Sequence, residues 1–260
     1  MTPRTFATAA GLALAASGAL AGGPLTPAAE PPPAVASPAP APAWQVQVRP
    51  YVWATGLSGR VRPIAGAPTV SFSKSFPDTL KDLDAAFFLS ASAERDRVVI
   101  HGDVGRVVSS RRGSVAGLLP ARGGTTQTVL TLAAGYKAVV GPTYSVDVFA
   151  GVRAFWLTAD VNVAGVVSTS PQRSIVDPLV GLRANAMLAP RLSGTLYADV
   201  GGFGVGTKST VVLSGLLNYQ VNERMTVSGG YRHMKIDYDK GGTLADVTLG
   251  GPLLGVSWRF

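Results

Sequence analysis

Ala85-Ala86-Phe87-Phe88-Leu89-Ser90-Ala91-Ser92-Ala93-Glu94-Arg95, then Asp96-Arg97, then Val98-Val99-Ile100-His101-Gly102-Asp103-Val104 is the stretch on which the fold turns. Phe87, Leu89, Ala91 and Ala93 share one face of an extended chain, and Ser90, Ser92 and Glu94 share the other. Beyond Asp96-Arg97 the pattern resumes, with Val98, Ile100 and Val104 set against His101 and Asp103. Successive side chains of a strand point to opposite faces, so a period of two gives each strand one apolar and one polar side. The Asp96-Arg97 pair between two such runs reads as a tight turn.

The same pattern continues in both directions. In 44–54 Val46, Val48 and Val52 oppose Gln45, Gln47 and Arg49, and two-faced runs recur at 126–140, 143–158, 174–189, 191–205, 209–220, 224–238 and 246–260. From Trp44 onward no stretch holds 18 consecutive apolar residues, so spanning helices are not expected. Connections alternate between tight (Gly141-Pro142, Ala189-Pro190) and longer (56–84, 110–124, 159–173). Short turns at one end and mostly longer loops at the other are the habit of bacterial outer-membrane barrels. The expected fold is all-β, an antiparallel transmembrane β-barrel of about ten strands, with eight or twelve as alternatives. Ten is even, so the last strand can close on the first and leave no open edge in lipid. Within 57–84, Thr69–Ser73 alternates like part of a hairpin and 77–83 reads as a short helix.

Composition agrees with a surface that does not face water. Charged residues are 15% of the 260, against 47% apolar, where a soluble domain carries roughly a quarter charged. Cysteine is absent, which excludes disulfides and thiolate metal sites. The net charge of +8 suits either nucleic acid or an anionic membrane surface. The first residues favour the membrane. Arg4, an apolar stretch from Phe6 to Leu20 and Ala19-Leu20-Ala21 form a secretory signal over 1–21, so no nucleic-acid partner is expected. Residues 22–43 are rich in proline and alanine and read as an extended linker in the periplasm, ahead of a barrel over 44–260.

Leu254, Val256, Trp258 and Phe260 alternate up to the last residue. This resembles the C-terminal strand by which the barrel-assembly machinery recognises outer-membrane proteins, with Trp258 and Phe260 as the signal. Trp44, Tyr144, Tyr219, Trp258 and Phe260 fall at turn-proximal ends, where a girdle at headgroup level belongs. Val176-Asp177-Pro178-Leu179-Val180-Gly181-Leu182-Arg183, Asp199-Val200-Gly201-Gly202-Phe203-Gly204-Val205-Gly206, Gly230-Tyr231-Arg232 and the Trp258-Arg259-Phe260 end resemble a family of uncharacterised Gram-negative outer-membrane β-barrel proteins. Pro50–Gly59 looks like the first strand of that family. The resemblance implies fold and location, and no activity. After Gly206 the family pattern expects an acidic residue and a tryptophan, where this chain has Thr207-Lys208.

Parity assigns Arg49, Glu94, His101, Asp103, Lys137, Asp147, Arg153, Asp177, Arg183, Asp199, Arg232 and Arg259 to the lumen, because a charge facing lipid costs up to ~2–4 kcal/mol. Two readings follow: a salt-bridged structural filling, or a narrow passive pore or cavity in which arginine favours anionic small solutes. A surface-binding barrel acting through loops 57–84 and 110–124 is the alternative. The turn at Gly141-Pro142 places Lys137 opposite Asp147, expected as an inward ion pair. Gly201–Gly206 precedes no helix, so it reads as sheet curvature or close strand contact rather than as a phosphate loop. No cofactor and no enzymatic activity are expected. His101 and Asp103 lie one strand repeat apart, ~6.8 Å, and His233 has outward parity. Arg111, Arg112 and Arg122 sit in 110–124 without an acidic residue, suited to bidentate contact with lipopolysaccharide phosphates.

Deleting Phe260 should lower the folded, heat-modifiable fraction in cells while leaving refolding in detergent nearly unchanged. Normal outer-membrane levels of the deletion would contradict an assembly role.

Overall fold

The computed structural model describes residues 43–62, 65–115, 119–163 and 167–260; the signal sequence and linker expected over 1–43 lie outside these residues, except Ala43. Among the described residues, thirteen strands form one sheet. They are β1 (Gln45–Trp53), β2 (Gly56–Arg62), β3 (Val70–Lys74), β4 (Leu83–Arg95), β5 (Val98–Val115), β6 (Leu119–Val140) and β7 (Tyr144–Val163). Then follow β8 (Val167–Thr169), β9 (Gln172–Ala189), β10 (Leu192–Gly201), β11 (Ser209–Gln220), β12 (Met225–Lys240) and β13 (Thr243–Arg259). A single-turn helix, α1 (Phe76–Lys81), stands between β3 and β4. Hydrogen bonds from Lys81 and Ser75 hold its Asp78 carboxyl below the ordinary carboxylate range.

β2 is a continuation of β1. Both lie along β13 in unbroken register, Trp53 opposite Leu253 and Gly56 opposite Gly250. The Ala54 N–H bridges the interruption by donating to the Pro252 carbonyl at 2.9 Å. β3 pairs only with β2, and β8 only with β7, so the barrel has ten spans. Every neighbouring pair is antiparallel, and β1 closes the sheet by pairing with β4 on one side and β13 on the other. No strand edge is left for lipid.

Side-chain direction follows the alternation. Val52, Leu196 and Leu254 point outward and are more than 60% exposed, while Val99, Leu179 and Val212 point inward and are at most 1% exposed. Trp44, Tyr136, Tyr144, Tyr219 and Trp258 are exposed around the end where β1 starts and β13 finishes. This is the end with tight turns, the periplasmic end in barrels of this type. Along β12 the outward positions run Met225, Val227, Gly229 and Tyr231 before His233, Lys235 and Asp237. At ~3.3 Å per residue and a tilt of about 40°, Met225 to His233 rises roughly 20 Å, close to the apolar height of an outer membrane.

The far end differs from the sequence expectation. Residues 110–124 are not a loop: β5 and β6 stay paired from Ser110 opposite Gly124 to Val115 opposite Leu119. β7 likewise runs to Val163, and 239–245 shrinks to a two-residue Gly241-Gly242 turn with positive φ at both glycines. β10 ends earlier than expected, at Gly201. Above the membrane both faces of a strand meet water, so its side chains need not alternate although its backbone stays paired.

Leu196→Arg and Leu213→Arg should each destabilise the barrel by about 2–4 kcal/mol in lipid, as outward mid-span positions. Equilibrium unfolding in vesicles checks this, and losses under ~0.5 kcal/mol would contradict a lipid-facing placement.

Candidate functional site

The interior is filled by charge that is almost wholly paired. Arg153 on β7 is 1% exposed and uses its planar fork fully. Its Nη1 and Nη2 donate to Asp199 Oδ1 and Oδ2 at 2.9 and 2.6 Å, and its Nε donates to Thr131 Oγ1 at 3.1 Å. Tyr197 OH donates to Asp199 Oδ2 at 2.8 Å. An ion pair this dry is tolerable only when its remaining donors and acceptors are also satisfied.

Two further cations cross the lumen. Arg183 on β9 donates from Nε to Asp147 Oδ2 and from Nη2 to Glu94 Oε1, each at 2.7 Å. Asp147 lies on the adjacent β7, whereas Glu94 lies on β4, four strands away around the barrel. Lys137 Nζ donates to the other oxygen of Glu94 at 2.7 Å. Arg232 on β12 reaches Asp103 on β5, also four strands away, at 3.1 Å. Tyr51 OH accepts from Arg232 at 2.8 Å and donates to Asp103 at 2.9 Å, and the Arg232 guanidinium lies over the Trp53 ring at 5.1 Å. In a ten-span ring, four strands is nearly the full width.

On the far side of this layer the glycine run folds inward. Gly202, Phe203 and Gly204 have positive φ and turn the chain so that Thr207 is buried. Its N–H and Oγ1 donate to the two oxygens of Asp177, each at 2.7 Å. A Cβ on Gly206 would collide with that carboxylate. The run is thus a turn after β10 with close strand contact, and Thr207 is the residue that satisfies Asp177.

On the periplasmic side the struts floor a cup of about 410 Å³, open towards the end where both β1 begins and β13 finishes. Arg49, Arg183, Arg232 and Arg259 line it together with the carboxylates Glu94 and Asp103 and with neutral amides and hydroxyls.

The structure places Arg49, Glu94, His101, Asp103, Lys137, Asp147, Arg153, Asp177, Arg183, Asp199 and Arg232 inward, and leaves Arg259 exposed at the mouth of the cup. Lys137 and Asp147 are opposed in register, but they are not each other's ion partners. A bulge between Lys137 and Val139 lies at this point, and Lys137 turns to Glu94 while Arg183 takes Asp147. The three arginines expected to contact lipopolysaccharide lie on paired strands rather than in a loop. Arg112 and Arg122 oppose each other high on the β5–β6 hairpin, and Arg111 has the other parity, with Nη1 4.0 Å from Asp82. Gly117, at the tip, lies outside the described residues. The cation overlooked in the sequence is Arg106. It points outward just above Val98, Ile100 and Val104, bonded to Thr128 at 3.2 Å, and the step from apolar to charged on this face was its signal.

No family model matches the chain, and no curated protein matches it. Among solved structures, the outer membrane protease OmpT from Escherichia coli is similar, with a TM-score of 0.52 at 12% identity over 83% of this chain and 97% of that one. The translocator domain of autotransporter NalP from Neisseria meningitidis aligns with a TM-score of 0.47 at 16% identity, over 84% and 88% of the two chains. The first likeness is one of fold. With its closed sheet and apolar exterior, the chain is a membrane-spanning barrel of the bacterial outer-membrane type.

Asp199→Asn should cost about 3–5 kcal/mol by leaving Arg153 buried and unpaired, and Arg153→Met with Asp199→Leu should regain most of it. In double-mutant cycles Lys137 should couple to Glu94 by more than about 0.5 kcal/mol and to Asp147 by less. The reverse order would contradict the assigned partners.

Proposed function

We propose that this chain is a structural outer-membrane barrel with a shut lumen, and neither a pore nor an enzyme. The observation that supports this reading is the pair of cationic struts, Arg183 to Glu94 and Arg232 to Asp103, stacked against the dry Arg153–Asp199 pair. A solute or ion crossing would have to break buried, hydrogen-bonded charge pairs. Against catalysis stands the setting of His101. Its Nδ1 faces Arg183 Nη1 at 3.5 Å and its ring packs edge-on to Phe149, and among the described residues no carboxylate hydrogen-bonds to it as an activating base would require. The likeness to a protease is one of fold, at 12% identity.

Two partners fit the outer surface. Trp258 and Phe260 lie exposed on the closing strand, suited to recognition by the barrel-assembly machinery. Arg106 stands where the apolar belt ends, at the height of lipopolysaccharide phosphates, with guanidinium donors to spare beyond Thr128. Arg112 and Arg122 stand six residues further out, roughly 20 Å along the strand. The surface-binding reading draws on this same hairpin, which projects past the membrane face.

In planar bilayers the refolded protein should give no discrete conductance steps, while Arg183→Gln combined with Arg232→Gln should give small openings. Steps from the unaltered protein would overturn the shut-lumen reading. Arg106→Gln should reduce co-purifying lipopolysaccharide more than Arg111→Gln does, and the opposite order would overturn the placement of the phosphate contact.

A further inference from the structure

The geometry points to the periplasmic cup as a binding site for a small acidic sugar, held at its carboxylate or phosphate by Arg49. This goes beyond a structural role. The interior carboxylates nearby are already engaged: Glu94 accepts from Arg183 and Lys137, and Asp103 from Arg232 and Tyr51. Arg49 differs from the other inward arginines of the strands. Among the described residues it forms no ion pair, and its one side-chain hydrogen bond is a long one, 3.5 Å from Nε to Ser257 Oγ. It is partly buried, with its stem packed over Gly255, where a Cβ would meet Arg49 Cγ and Cδ at 3.2 Å. With Arg183 and Arg232 already taking the carboxylates of the cup, the half-buried Arg49 guanidinium is left without an ion partner of its own and can take an anion from outside.

The rest of the wall says what kind of anion. Ser228 donates to Asn218 Oδ1 at 2.8 Å, Asn218 Nδ2 to Thr195 Oγ1 at 3.0 Å, and Thr195 Oγ1 to Asn185 Oδ1 at 2.9 Å. This relay fixes the Asn185 amide and leaves its Nδ2 donor without a partner among the described residues. Gln45 and Gln47 add further amides at the mouth. A ladder of oriented amides and hydroxyls recognises a ligand bearing several hydroxyls, whereas an arginine alone would suit any oxyanion. The volume, about 410 Å³, falls within the ~300–1,000 Å³ of small-molecule sites and suits a single sugar.

Calorimetric titration of the refolded full barrel with glucuronate, glucose 6-phosphate, glucose and inorganic sulfate tests the assignment. Both sugar acids should saturate, with glucose and sulfate each at least about tenfold weaker. R49Q should weaken both sugar acids by about tenfold or more while the heat-modifiable folded fraction stays unchanged, since Arg49 holds no ion pair. Sugar acids that fail to bind, glucose binding equally well, or unaltered binding in R49Q would overturn the site. Sulfate binding as tightly as glucuronate would overturn the recognition of a sugar. Conductance of the unaltered barrel would overturn the shut lumen without touching this inference, so the two fail separately.

Discussion

Everything in this structure depends on the pairing of β1 with β13. A backbone group in hydrocarbon has no water to fall back on, so a sheet in lipid must close on itself. Here the last strand meets the first over Gln47–Trp53 and continues along β2 with no change of register. That offset fixes which residues face lipid, because a slip of one position would turn one strand over relative to the other and bring either Val52 or Leu254 inward. It also fixes the span number at ten, and hence the width of the interior. The ring is narrow enough for arginine side chains to reach nearly across it.

A narrow interior must be filled by side chains, and this one is filled chiefly by ionic and hydroxyl groups rather than by a hydrocarbon core. Leu179, Phe149 and Val212 supply apolar packing, but the mid-lumen layer is Arg153, Asp199, Tyr197 and Thr131 in mutual hydrogen bonds. Such pairs return little net stability after desolvation. Their effect is on specificity: Arg153 meets Asp199 and Thr131 in one arrangement of its guanidinium, so this layer has one packing. Asp177 shows the same logic at the far end, where the glycine run bends in and Thr207 donates to both oxygens of the carboxylate.

The sequence revealed most where lipid and lumen impose opposite demands on alternate residues. His101 and Asp103 against Ile100 and Val104 is legible because both environments act on the same few residues. Legibility ends where that contrast ends. The upper halves of β5, β6 and β7 meet water on both faces, so Arg111, Arg112 and Arg122 resemble loop residues although two of them are directly opposed on paired strands. Ion partners are illegible for another reason. Register places Lys137 opposite Asp147, yet long side chains in a tilted, bulged barrel reach diagonal or distant strands, and Glu94 comes to Lys137 and Arg183 from across the lumen. A pairing over four strands leaves no trace in spacing along the chain.

The chain contains no cysteine, so closure can be read directly by pairs of introduced thiols. Val52 and Leu254 are opposed across the β1–β13 seam, within the separation a disulfide spans. Oxidation of V52C/L254C in membranes should form the crosslink in most molecules, while V52C/V256C, offset by two residues on the same face, should stay largely reduced. Efficient crosslinking of the offset pair, or of neither pair in folded protein, would contradict closure in this register.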